Sequence, residues 1–381
     1  MTHPTAALQQ RAYALLGELL LRGPTPEHVN LIIDMPPLDA TLHAAFGNPV
    51  DADRAAAAHA RLFDLNIFPF EGVFTRADSM VGGEATQQLR AWYASRQFQP
   101  PNEGPEHAGT ELLFLAHLCG QLVRAPHAAI EAELEQALGA FLDQHLGRWM
   151  APLVVATQRS GDPFHTQLLN LVWELLVGQR TALAERVPPG STAEASPARG
   201  GHASATADRE PASPGTAVNA SHAEPNDAPE AAADARSTAR ADLDAELAIP
   251  DLRAEATGLR DIEAYLLAPA RSGWFLDREH ISAVANAESV PHGFGSRNTL
   301  LHNTLESAAR YECLGPLLER LQVEIRAWLD AYATLAGSPA EARTVASGWV
   351  WPWQQRLHRA YELVEAMRTR GNRIASELPS T

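Results

Sequence analysis

Cysteine is almost absent from this chain. Two occur in 381 residues, Cys119 and Cys313, far apart and each inside an apolar helical context. Neither belongs to a CxxC pair or a zinc-type spacing, which argues against a structural metal and against a disulfide framework. Basic residues are outnumbered, 30 against 46 acidic ones, for a net charge of −16 at pH 7. Such a surface repels phosphate, so a nucleic-acid partner is not expected. It suits a basic peptide or simple solubility. A secretion signal is missing too. The opening MTHPTAALQQRAYALLGELLLRG is amphipathic, with no basic region followed by a cleavage site, and no run is long and apolar enough to span a bilayer. The expectation is a cytoplasmic protein with no membrane span. Catalytic signatures are also lacking: there is no GxSxG, no P-loop, no GxGxxG after a strand and no HExxH. The chain is therefore read as a binding protein and not an enzyme, with no stably bound cofactor and no metal.

What is present is helical periodicity. Segments such as ALLGELLL, TELLFLAHLCGQLV and LLNLVWELLV place apolar residues at helical spacing, and strand-like alternation is nearly missing. The expected class is all-α. Composition divides the chain into residues 1–186, a helical domain; 187–242, an Ala/Ser/Pro/Gly-rich stretch without aromatics; and 243–381, a second helical region. The middle stretch cannot bury enough apolar surface to offset its ordering entropy, so a disordered linker is expected there.

In the last region GWFLDREHISAVANAESVPHGFGSRNTLLHNTLESAARYECLG reads as two helices around a PHGFG turn, with Asp277 placed to cap the first. GWVWPWQQRL brings Trp349, Trp351 and Trp353 together. They read either as an anchor for the fold, the preferred reading, or as an exposed docking patch.

The most informative stretch runs from Leu62 to Gly120. FPFEGVF is a proline-aromatic turn, LRAWY ends a helix with a tyrosine before a polar loop, and EGPEHAGTELLFLAHL sets an acidic-Pro-Glu-His sequence at the front of another helix. FLDQHLGRWMAPLVVATQ and DPFHTQLLNLVWELL follow. In this order the segments resemble the TorD/DmsD/NarJ superfamily of chaperones that mature molybdenum-containing redox enzymes. The likeness covers about Ala6 to Glu185. One departure is Glu106, where the family usually has aspartate. The region from 243 onward lies outside the core family domain.

The resemblance implies a TorD-like helical bundle. It implies a system-specific chaperone that binds the apo form, or the N-terminal leader peptide, of a molybdopterin oxidoreductase and assists cofactor insertion before export or membrane docking. The molybdenum cofactor would be met only transiently, through the client. Leaders of such clients often carry twin arginines followed by an apolar stretch, so carboxylates and an apolar groove are needed. Glu103 and Glu106 flank Pro105, Glu106 and His107 stand at a helix front, and Phe68, Phe70, Phe74, Trp92 and Tyr93 supply aromatic surface nearby in sequence. These eight are the candidate peptide-binding residues. The plainer readings are that Glu106 caps a helix, that His107 pairs with Glu111 four residues on, and that the aromatics are core. Members sometimes form domain-swapped dimers, so a homodimer is compatible. The rival function is a non-catalytic helical scaffold or regulatory interaction protein of the same fold.

Overall fold

Several helices begin where the sequence supplies an acceptor or a proline. Asp51, Asp162, Asp277 and Ser296 each accept the N–H three residues on, from Arg54, His165, His280 and Thr299, at 3.0, 3.0, 2.8 and 3.2 Å. Such a cap stabilises a helix by ~1 kcal/mol. Prolines open three others, at Pro26, Pro36 and Pro269, where a missing N–H costs nothing. A computed structural model describes residues 3–101, 104–186, 248–254, 257–337 and 344–377. Among them it contains helices and no strand, as the all-α expectation requires. The expected linker, 187–242, lies outside the described residues.

The helices before that stretch are α1 (His3–Arg22), α2 (Pro26–Ile32), α3 (Pro36–Phe46), α4 (Ala52–His59, continued by a π turn over Ala60–Asp64), α5 (Glu71–Thr75), α6 (Glu84–Ser95), α7 (Ala108–Val123), α8 (Ala128–Gln144), α9 (Leu146–Arg159) and α10 (Pro163–Ala184). After it come α11 (Leu259–Leu267), α12 (Pro269–Ser272), α13 (Arg278–Ala287), α14 (Arg297–Arg310), α15 (Leu314–Ala336) and α16 (Val345–Glu377).

α1 lies directly on α7 because two glycines face each other. A Cβ on Gly17 would stand 2.9 Å from the Gly109 carbonyl oxygen, and one on Gly109 only 2.6 Å from that of Gly17. The backbones touch where side chains would hold them apart. α9 is the central rod, buried continuously from Trp149 to Thr157. α15 and α16 run antiparallel: Glu319, Gln322 and Arg326 of one meet Arg368, Glu365 and Tyr361 of the other, in reverse order.

The described residues up to Glu185 and those from Ala248 pack as one unit around a shared core. Phe275 rests on Phe74 at a ring distance of 5.3 Å, Asn66 Nδ2 donates to Glu279 at 3.1 Å, and Arg159 pairs with Glu324. The most specific link depends on Pro152 inside α9. Proline has no N–H, so the carbonyl four residues back, that of Arg148, is left without its helical donor. The Trp353 indole Nε1–H from α16 donates to that oxygen at 2.9 Å. The tryptophan trio thus divides. Trp353 is buried in this socket, Trp349 packs edge-on against Trp173 at 5.9 Å, and Trp351 is 60% exposed.

Candidate functional site

Two turns meet at the front of α7. Phe70 and His107 form an isolated antiparallel bridge. The Glu71 N–H donates to the Glu106 carbonyl at 3.0 Å, and the Ala108 N–H to that of Pro69 at 2.8 Å. The starts of α5 and α7 are thereby zipped together. Tyr93 at the end of α6 adds its hydroxyl, donated to the Pro105 carbonyl at 2.7 Å.

Glu106 closes this clasp. Its carboxylate turns inward and is fully buried. One oxygen accepts the Gly72 N–H at 3.0 Å; the other accepts the Gly82 N–H at 2.9 Å and the Thr86 hydroxyl. It therefore ties the 76–83 loop to α5. Gly72 has to be glycine, since a Cβ there would lie 2.6 Å from the Glu106 carboxylate and from the Met80 carbonyl oxygen. Burial pushes the Glu106 carboxyl upward, while the Gly82 and Gly72 amides pull it back. In this conformation neither oxygen faces solvent.

His107, not Glu106, caps α7. Its Nδ1 accepts the Gly109 N–H at 3.0 Å while its ring stands edge-on to Phe70 at 5.0 Å. Nδ1 is therefore unprotonated. Burial, with a contribution from His59, lowers its pKa to about 3. No pair forms with Glu111, whose two oxygens are buried without a hydrogen bond. The Trp149 indole N–H faces Glu111 but makes no hydrogen bond with it. Burial, then the charge of Glu71, drives the Glu111 carboxyl well above the ordinary range. Glu71 accepts instead from His145, whose Nδ1 lies at 2.9 Å, with both side chains almost fully enclosed.

The candidate aromatics separate by depth. Phe74 and Tyr93 are core, Phe74 stacking on Trp149 at 5.5 Å. Phe70 and Trp92 are partly buried, Trp92 standing edge-on to Phe114, Phe141 and His145. Phe68 is 38% exposed and lines a pocket of about 540 Å³ with Leu65, Val73 and Met80. Glu103 lies outside the described residues.

The pocket's far wall was not foreseen, because it comes from the second helical region: Leu267 of α11, Arg278 of α13 and Arg297 of α14. Arg278 donates to the Leu65 carbonyl at 2.8 Å, and the Arg297 guanidinium lies over Phe275 at 4.3 Å. Burial lowers Arg297 to about 10, with Asp277 opposing, so it stays charged at neutral pH. The Glu71–His145 pair was missed as well. Its one signal in the sequence was a carboxylate set among the aromatics of FPFEGVF.

The clasp lies within the segment that a family match covers. Residues 34–155 match the nitrate reductase delta subunit family. That is a family of molybdoenzyme maturation chaperones, and the similarity supports a chaperone role. The match to the nitrate reductase delta subunit family ends within α9, so α10 and the whole second helical region lie beyond it. No curated protein and no solved structure matches the chain. Among the described residues no His/Cys/Asp/Glu group could hold a metal ion, and no helix is long and apolar enough to cross a membrane.

Proposed function

We propose that this protein is a cytoplasmic chaperone for a molybdopterin oxidoreductase. It binds the apo catalytic subunit, or its leader peptide, and holds it for cofactor insertion before export or membrane docking. It acts by binding and not by turnover, and meets the molybdenum cofactor only through its client. The observation that carries this reading is the family match over residues 34–155, which contains every part of the clasp around Glu106. In this reading Glu106 and His107 work indirectly. They hold the 76–83 loop and the turn after Phe68, so that Phe68 and Met80 present an apolar wall to the client.

The test is calorimetric titration of the full chain with leader peptides of molybdoenzymes from the same genome, each beside a form whose apolar stretch is replaced by serine. Micromolar binding that needs the apolar stretch, and that weakens about tenfold in Phe68→Asp, is the expected result. If neither a leader nor a whole apo catalytic subunit binds, the chaperone reading is wrong.

A further inference from the structure

One groove lies far along the chain from the clasp, mostly on helices that the family match does not reach. It has a volume of about 960 Å³ and is bounded by the C-terminal half of α10, the end of α15 and the start of α16. Its floor is apolar, from Trp173, Val177, Leu335 and Val345. Among the described lining residues the charged ones are Glu174 and Glu185, both exposed. Other grooves differ. The one between α1 and α2 mixes Arg11 and His28 with Glu18 and Asp34, and the Phe68 pocket carries Arg278 and Arg297.

An apolar floor with Glu174 and Glu185 beside it is complementary to one class of partner. A helix with an apolar face buries that face in the groove, as helices do in helix-binding grooves. Basic residues beside that face then meet Glu174 and Glu185, which also steer the approach. We propose that the groove between α10, α15 and α16 is a second client-docking site that takes a basic amphipathic helix. This rests on the chaperone reading for the identity of the client, but not for the chemistry of the groove.

The groove is maintained by residues already in place. Trp173 on its floor is held by its edge-on contact with Trp349. Gly178 on α10 lines the groove, and a Cβ there would have no neighbour within 4 Å. A large side chain at 178 therefore enters the groove without disturbing the core.

The composition of the chain supplies a direct test. It contains no lysine. A carbodiimide therefore joins chain carboxylates to an added lysine peptide with little internal coupling, the N-terminal amine excepted. The probe is a C-terminally amidated 18-residue helical peptide of leucine and lysine, compared with its leucine–glutamine counterpart. The expected result is amide formation at Glu174 and Glu185, with at least tenfold weaker binding of the glutamine peptide. The double variant Glu174→Lys/Glu185→Lys and, separately, Gly178→Trp should each weaken the lysine peptide at least tenfold without changing the unfolding midpoint. Coupling scattered over other carboxylates, or unchanged affinity in both variants, overturns the proposal. So does a tenfold rise in affinity on deleting residues 187–246, because the groove would then be occupied by the chain itself. The two readings fail separately. If a molybdoenzyme leader or apo subunit binds the wild type and both variants equally, the groove proposal falls and the chaperone reading stands. If the lysine peptide couples as expected but no molybdoenzyme segment binds, the chaperone reading falls alone.

Discussion

The clasp at the front of α7 and the groove beside α10 use the same side chain in opposite ways. Glu106 is turned inward and spends both oxygens on the chain's own donors. Glu174 and Glu185 are turned outward, exposed beside a groove with an apolar floor. A buried acceptor stabilises by satisfying groups that would otherwise be desolvated and unpaired, whereas an exposed one contributes little to folding. The clasp should therefore respond to mutation through stability, and the groove through affinity.

Acid should affect the clasp region most. Burial lowers His107 to about 3 and His59 to about 4. The unfolded chain takes up these protons near pH 6.5 while the folded chain does not, so stability is intact above that value and is lost as pH falls toward the folded pKa values. The slope is ~1.4 kcal/mol per pH unit for each group. Urea unfolding between pH 7 and pH 5 measures it. His107→Asn, which can still cap α7, should remove about one proton's worth of the slope. An unchanged slope would mean that His107 does not stay neutral.

Glu106→Ala comes next. It strands the Gly72 and Gly82 amides and the Thr86 hydroxyl, and should cost about 3–4 kcal/mol at pH 7. Glu106→Gln, which keeps an acceptor, should cost about half as much. A loss below ~1 kcal/mol for the alanine variant would show that the clasp is not formed as described.

Glu111 predicts the opposite sign. Its raised carboxyl pKa means that the unfolded chain releases the proton first, so the group lowers stability as pH rises above the ordinary carboxylate range. Glu111→Leu should raise stability at pH 7 by about 1–2 kcal/mol, with the gain shrinking toward pH 4. Thermal scans of both proteins at the two pH values check this. The smallest effect belongs to the groove: Glu174→Lys should move the unfolding free energy by no more than ~0.5 kcal/mol. A larger shift in urea titration would place Glu174 in the fold and blunt the contrast.

The sequence made the helices legible because their signals are local. Asp277 caps α13 as its spacing implies, and the PHGFG turn falls between α13 and α14. The neighbourhood of the clasp was legible for the same reason, since Glu106 and His107 do stand at the front of α7. The orientations were not. The donors that turn Glu106 inward belong to Gly72 and Gly82, 34 and 24 residues away. The acceptor for the Gly109 amide is His107, a residue type seldom considered as a cap. Helical spacing also cannot separate Phe74, in the core, from Phe68, at a pocket. That difference is made by Phe275 and Leu267, which come from the far side of the 187–242 stretch.

Pro152 removes one hydrogen bond of α9, and Trp353, 205 residues after Arg148, supplies a donor to the carbonyl left open. The two halves of the chain are thus fitted to each other at a place where neither is complete alone. A backbone nick between them should leave a pair that co-elutes, and the halves expressed from separate genes should find each other. Pro152→Ala would let α9 fill its own vacancy and should loosen that reunion.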